Sequence, residues 1–206
     1  MSKKPIIILG AGGHAKVIVE VLRQSNRRLL GLIAPDLEKG SSQFGLKVLG
    51  NDSDLDTYSV NDVELANGVG AIPGSNRRRV LASKVRSNGF IFSSVIHPTA
   101  IIADDVELDE GVQIMAGAII QSGAKISRDA ILNTGVIIDH DCLIGRSCHI
   151  APGVILSGSV CVGENTHIGT GTSVIQNINV GSNVIIAAGS VLYHDVQTGK
   201  IFIQRK

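Results

Sequence analysis

Aromatic residues are scarce in this chain. Tryptophan is absent, and only four phenylalanines and two tyrosines occur among 206 residues. Any core must therefore close on aliphatic side chains. Neither sign of charge is in excess: 19 Lys and Arg stand against 18 Asp and Glu, a formal net charge of +1. That balance gives no electrostatic sign of nucleic-acid or membrane binding. No charge-free apolar run approaches the ~18 residues of a transmembrane helix. The opening Met1-Ser2-Lys3-Lys4-Pro5 leads directly into a short strand pattern, with no signal-peptide cleavage site. Cysteine is sparse too, and Cys142, Cys148 and Cys161 form neither a zinc spacing nor a disulfide framework. These absences predict a cytoplasmic, reduced protein. Hydrophobic residues are plentiful at 44%, so a core is easily built. The length suits one large domain or two modest ones.

What is present is a repeat. From Ile96, every sixth residue to Leu192 is aliphatic, passing through Ile114, Leu132, Ile150 and Ile168. Four places after each comes a small or β-branched residue, such as Ala118, Val136, Cys142, Cys148, Val154, Thr166 or Val196. Neither a helix nor an alternating strand has this period. A short fixed period means a solenoid, in which each coil buries its apolar edge only by stacking on the next. The repeat runs to Gln197, and a narrow coiled interior agrees with the shortage of rings.

The first ninety residues follow other rules. Pro5-Ile6-Ile7-Ile8-Leu9 is a continuous apolar run, the mark of a strand buried on both faces. Gly10-Ala11-Gly12-Gly13-His14-Ala15-Lys16 follows at once, and an amphipathic helix then reaches about Gln24. Strand, glycine-rich turn and helix open a nucleotide-binding α/β unit, in which backbone amides at the helix start can meet an anion. Ala15 stands where a dinucleotide fingerprint has its third glycine, so a tight turn without a ligand is an equal alternative. A second strand over residues 29–34 ends at Pro35-Asp36, which makes Asp36 either a ribose or base acceptor or a loop residue. A strand near Lys47–Leu49, a helical stretch at Asp54–Tyr58, a strand over 64–72, a basic helix from about Ser75 and a last strand over 90–94 complete the unit. Arg77, Arg78 and Arg79 on that helix could meet phosphates, although a solvated face is the simpler reading. The size fits a mononucleotide better than a dinucleotide. Residues 1–94 are thus expected to form a Rossmann-like unit, and residues 95–206 the solenoid with a short tail.

The hexads, for example Ile150-Ala-Pro-Gly-Val-Ile and Ile186-Ala-Ala-Gly-Ser-Val, resemble the hexapeptide repeat of left-handed parallel β-helix acyltransferases. That resemblance implies three hexads per coil, five to six coils, and a prism roughly 27 Å tall at ~4.8 Å per strand. An 18-residue coil then stacks His149 and His167 on one ladder, facing outward. It puts His140 at a corner, with Ser122 one coil below and Gly158 one coil above. Packing has no need of a histidine there, and Asp139 and Asp141 flank it. A carboxylate beside an imidazole suits a general base.

Both halves together resemble the sugar acyltransferase family that includes sialic acid O-acetyltransferases and the N-acetyltransferases of nucleotide-linked 4-amino sugars in the bacillosamine and perosamine pathways. The residues that carry this are the Gly-Ala-Gly-Gly-His start and Asn133-Thr, Asp139-His140-Asp141 and His149-Ile-Ala-Pro-Gly in the solenoid. The resemblance implies His140 as general base supported by Asp141, with Asp139 as the other candidate. It puts Asn133, His149 and His167 in the site and the Gly158 amide at the thioester carbonyl. It implies that Gly10, Gly12, Gly13, His14 and Asp36 hold the nucleotide of a UDP- or GDP-linked amino sugar. Acetyl-CoA is the implied co-substrate, no metal is required, and the assembly is a homotrimer with sites between subunits. Three other readings stand beside this one: O-acetylation of a hydroxyl such as that of sialic acid, a zinc hydratase using three histidines, and a scaffold that binds a nucleotide sugar without turnover. The chain departs from the family at two points. It ends in Thr198-Gly199-Lys200 rather than a Gly-x-Pro-Ala segment, and Lys200, Arg205 and Lys206 could meet CoA phosphates, although a charged tail is the simpler reading. Its second strand also lacks paired acidic residues.

Overall fold

The computed structural model describes residues 4–203. The chain divides into two compact units at Val95 and Ile96.

The first unit is a five-stranded sheet. Strand β1 (Ile6–Leu9) leads through helix α1 (Gly13–Gln24) to β2 (Leu29–Ile33), then to a hairpin of β3 (Ser42–Gln43) and β4 (Leu46–Gly50). A 3-10 helix (Asp52–Thr57) precedes β5 (Glu64–Asn67) and helix α2 (Arg77–Ser87). The order is β3-β4-β2-β1-β5, parallel except for the hairpin. Central β1 is buried on both faces, which is why it reads as an unbroken aliphatic run. Helix α1 turns Ala15, Ile18, Val19 and Leu22 inward at helical spacing.

Three expectations for this unit need correction. The hairpin turn Phe44-Gly45, with φ of +54° and +70°, supplies a strand that the periodicity does not reveal. Strand β5 stops at Asn67 rather than Ile72. At Gly68 a side chain would lie 2.7 Å from the Ala15 Cβ, so the backbone there presses onto α1 and leaves the sheet. Residues 90–94 form no strand, and touch the sheet by a single bridge from Phe92 to Leu65.

The second unit is a parallel β-helix with three faces. Its sheets contain six, five and seven strands, nearly all two residues long and paired in steps of three elements. Ile119 pairs with Ile137, and Ile137 with Ile155, so one coil is 18 residues. In each strand the second residue points inward, which buries Ile114, Leu132, Ile150 and Ile168 completely. The fourth-place residues share that core. Where they are polar, they bond the neighbouring coil: the Thr166 hydroxyl donates to the Gly181 carbonyl at 2.7 Å, and the Cys148 thiol to the Gly163 carbonyl at 3.0 Å.

From Gly111 to Gly189 every sixth residue turns a corner in the left-handed region. One corner uses glycine throughout (Gly117, Gly135, Gly153, Gly171 and Gly189), whereas the others also admit Asp129, Asp141, Ser147, Ser159, Asn165, Asn177 and Asn183. These are types whose short polar side chains tolerate φ above zero.

The expected end at Gln197 also needs correction. Val196 bridges Val180, and Ile201–Phe202 forms a strand on Ile185–Ile186. Partners there are 16 residues apart rather than 18, so the last turn is two residues short. Val196 therefore opens a hexad instead of filling a fourth place. Residues to Phe202 belong to the solenoid, and Arg205 and Lys206 lie outside the described residues.

Candidate functional site

Ile138 ends one strand and points inward, and Cys142 is the next inward residue. The three residues between them, Asp139, His140 and Asp141, are pushed out at the corner joining the six-stranded and five-stranded sheets. Asp139 tightens the turn by accepting the His140 backbone N–H at 2.8 Å. Asp141, at φ +58°, brings a carboxylate oxygen to 2.8 Å from His140 Nδ1. That contact assigns the proton to Nδ1 and leaves the Nε2 lone pair facing outward. The Asp141 hydrogen bond raises the His140 pKa, burial opposes the rise, and the Asp139 charge adds to it. The side chain is 59% exposed, so solvent screens these effects.

The ring lies over Gly158. A Cβ at that position would sit 2.5 Å from His140 Cε1 and Nε2, so only glycine leaves the imidazole its place. Among the described residues the Gly158 amide has no acceptor. A base nitrogen and a free N–H donor thus share one corner.

A second cluster lies on the seven-stranded sheet and the corner that follows it. The Asn133 side-chain oxygen accepts the Thr134 N–H at 2.8 Å, which turns its Nδ2 toward His149 Nε2 at 3.2 Å. His149 pairs with His167, and their rings stand 4.9 Å apart at 63°. Both were expected to face outward, and both do from their strands, yet they are half-buried. His167 Nδ1 is enclosed without a hydrogen-bond partner, and burial lowers the pKa of this imidazole. One chain therefore brings Asp139, His140, Asp141 and Gly158 together and, separately, Asn133, His149 and His167. It does not join the two sets, because they stand on different corners of the prism.

The face beginning at the His140 corner carries a groove of about 630 Å³. Leu143, Cys161 and Asn179 line it, and Gly145, Gly163 and Gly181 form its floor. Those glycines are required, because a Cβ at any of them would meet backbone of the next coil at 2.5–2.7 Å. The groove does not include His140 itself. Cys142 and Cys148 are buried, and desolvation pushes their thiols up to about 11 and about 12. Neither is a thiolate nucleophile at neutral pH.

In the first unit, the chain leaves β1 toward β2 and later returns to β5 on the other side. The crevice at the carboxyl end of β1 is thus a topological switch point, where open α/β sheets bind ligands. Gly10, at φ +94°, makes the turn there, and its N–H donates to the Ile33 carbonyl at 2.7 Å. That bond sets the Ala34-Pro35-Asp36 segment beside the glycine turn, with Asp36 exposed. Gly12 and Gly13 begin α1 with open space where side chains would be. His14 stands beside Gly70, and Gly10 beside Gly68 and Val69. Ala15 takes the third glycine position because Gly68 supplies the close approach instead.

Arg78 differs from its reading as a solvated or phosphate-binding cation. It is 7% exposed, and its guanidinium donates to the Asn67 and Val69 carbonyls at 2.8 and 2.7 Å. It staples the segment that borders Gly10. The spacing of Arg78, Ala82 and Val85 on one helix face was the available signal.

Among the described residues no helix is long and apolar enough to cross a membrane. Residues 5–85 match the PglD N-terminal domain family. No curated protein sequence matches the chain, but solved structures do. Perosamine N-acetyltransferase from Caulobacter crescentus, crystallised as a histidine-to-asparagine mutant with CoA and GDP-perosamine, is 35% identical over 96% of this chain and 92% of that one, with a TM-score of 0.88. The acetyltransferase domain of PglB from Neisseria gonorrhoeae, in complex with acetyl coenzyme A, is 32% identical over 97% and 95%, with a TM-score of 0.88. WeeI from Acinetobacter baumannii, 24% identical, shares the fold with a TM-score of 0.87 over 98% and 97%. With a relative one-third identical along almost its whole length, this chain belongs to the left-handed β-helix family of sugar acetyltransferases.

Proposed function

We propose that the protein is an acetyl-CoA-dependent N-acetyltransferase acting on the amino group of a nucleotide-linked 4-amino-deoxy sugar. The observation that carries this reading is the exposed His140 Nε2, with Nδ1 held by Asp141 and the free Gly158 amide beside the ring. The amine attacks the thioester carbonyl of acetyl-CoA while His140 Nε2 removes its proton. Asp141 stabilises the imidazolium that forms, and Asp139 fixes the turn. The Gly158 N–H meets the oxyanion, a fixed dipole of a kind worth on the order of 3 kcal/mol. Collapse of the tetrahedral intermediate releases CoA as a thiol and leaves an N-acetyl sugar. No metal or covalent enzyme intermediate is needed. The first unit holds the nucleotide, UDP or GDP, at Gly10, Gly12, Gly13, His14 and Asp36, by virtue of its switch point and open glycine turn.

Asn133, His149 and His167 complete the site from a neighbouring subunit, which is why one chain leaves them apart from His140. The six-stranded sheet supports such an assembly. Its outward ladder reads Ile101, Ile119, Ile137 and Ile155, of which Ile101 is 65% and Ile155 42% exposed. Unpaired aliphatic ladders of this kind mark protein contacts. The trimer places acetyl-CoA along the solenoid between subunits, and its substrates place the reaction in the cytoplasm, in the supply of glycan precursors.

Thiol release from acetyl-CoA, measured with nucleotide-linked 4-amino sugars and with sialic acid, tests the reading. Turnover with the amino sugars is expected. Turnover with sialic acid alone would replace it by O-acetylation, and none with any acceptor would leave a binding protein. His140→Ala is expected to lower kcat about 10²–10⁴-fold, and wild-type turnover in that variant would remove His140 from the role.

A further inference from the structure

We propose that Gly123 is a positioning residue: by lacking a side chain it forms the seat from which the Asp141 carboxylate holds His140. The proposal rests on the reading of His140 as the base.

Gly123, Asp141, Ser159 and Asn177 occupy one corner in successive coils, at φ +76°, +58°, +59° and +61°. Three of the four carry side chains, so this backbone conformation does not by itself demand glycine. What demands it is space. A Cβ at residue 123 would lie 2.5 Å from Asp141 Oδ1 and 3.4 Å from its carboxyl carbon. The glycines of the all-glycine corner, Gly117 and Gly135 among them, have equally positive φ and meet nothing within 4 Å. Of the corner glycines Gly117, Gly123, Gly135, Gly153, Gly171 and Gly189, Gly123 alone has its vacant side-chain position filled by a carboxylate. One oxygen of Asp141 rests over Gly123, and the other reaches His140 Nδ1.

The seat is itself anchored. Asp105, one coil lower, accepts the Gly123 N–H at 3.1 Å and the Ser122 hydroxyl at 2.7 Å through one carboxylate oxygen. The Ser122 carbonyl in turn accepts the Asp141 N–H at 3.0 Å. Three stacked rungs therefore fix the acid, and Gly158 above clears room for the ring. The groups facing His140 are Asp139 and Asp141 on its own turn, Ser122 and Gly123 below, Asp104 and Asp105 below those, and Gly158 and Ser159 above. Only the four aspartates among them titrate, and only Asp141 bonds the imidazole.

Gly123→Asn tests the seat, since Asn177 shows that asparagine suits this corner. Gly117→Asn imposes the same backbone demand over open space and controls for strain. The His140 imidazole is titrated by NMR in the full-length protein, its resonance assigned by loss in His140→Ala. In Gly123→Asn the His140 pKa is expected to fall by about half a unit or more toward the ordinary histidine value. The acid limb of the kcat/KM profile should move down with it, while Gly117→Asn leaves both unmoved. In an Asp141→Asn background, Gly123→Asn should add no further shift, because both changes act on one contact. If Gly123→Asn fails to fold where Gly117→Asn folds, Gly123→Ala carries the same Cβ and takes its place. An unmoved His140 titration in the folded variant overturns the seat. Turnover that survives His140→Ala overturns the base assignment instead, so the two failures are distinguishable.

Discussion

Of the two imidazoles that meet edge to face at 4.9 Å, His167 bears charge poorly. Burial lowers its pKa, so folding favours the neutral ring. In the unfolded chain a histidine titrates near ~6.5. Above that pH His167 costs nothing. Below it, the unfolded state gains a proton that the folded state resists, and stability falls until the lowered folded pKa is reached. His140 has the opposite sign: its raised pKa adds stability at low pH, which is lost as pH rises through the folded value. A melt series from pH 7 to 5 is expected to show a decline in Tm that His167→Leu reduces, and equal declines in both proteins would contradict the assignment. Residues differed in how far the sequence could expose them. His140 was legible because a repeat specifies what packing needs, and a corner has no use for an imidazole between two aspartates. Gly123 was not, because its meaning lies in a contact 18 residues along the chain.

At the scale of elements, the loop after β5 depends on one guanidinium. Arg78→Met keeps the apolar stem and removes the donors to the Asn67 and Val69 carbonyls. Leaving the buried Asn67 carbonyl without this donor costs roughly 1–3 kcal/mol, and the half-buried Val69 carbonyl less, so a lower Tm is expected. Because the loop borders Gly10, KM for the nucleotide sugar should rise more than kcat falls. A variant with wild-type Tm and KM would show that the staple is dispensable. Strand β1, helix α1 and the hexads were readable since each is a run whose period matches its burial. The exit of β5 at Asn67 was not, because Gly68 acts through the Cβ of Ala15, and Arg78 read as exposed because charge usually is.

For the whole molecule, the prism separates His140 from Asn133 and His149, so assembly is part of the proposed chemistry. Ile155→Glu places a charge in the isoleucine ladder. We expect it to yield monomers by sedimentation, with turnover lost and the melt of the solenoid little changed, since the side chain faces outward. A wild-type protein that sediments as an active monomer would end the trimer reading. The hexad period made the solenoid legible from Ile96 onward, but not its end. Val196 is aliphatic in either register, so a turn two residues short leaves no mark in the pattern.

That short turn has a consequence for growth. Stacked parallel strands finish in unpaired edges, the kind that recruit further chains into filaments. Here the last described rung, closing on Ile201–Phe202, is two residues shorter than the 18-residue rungs beneath it. A coil of ordinary size arriving from another molecule would overhang that footprint and find its hydrogen-bonding groups out of line. End-to-end stacking on this rung would therefore meet a mismatch of two residues.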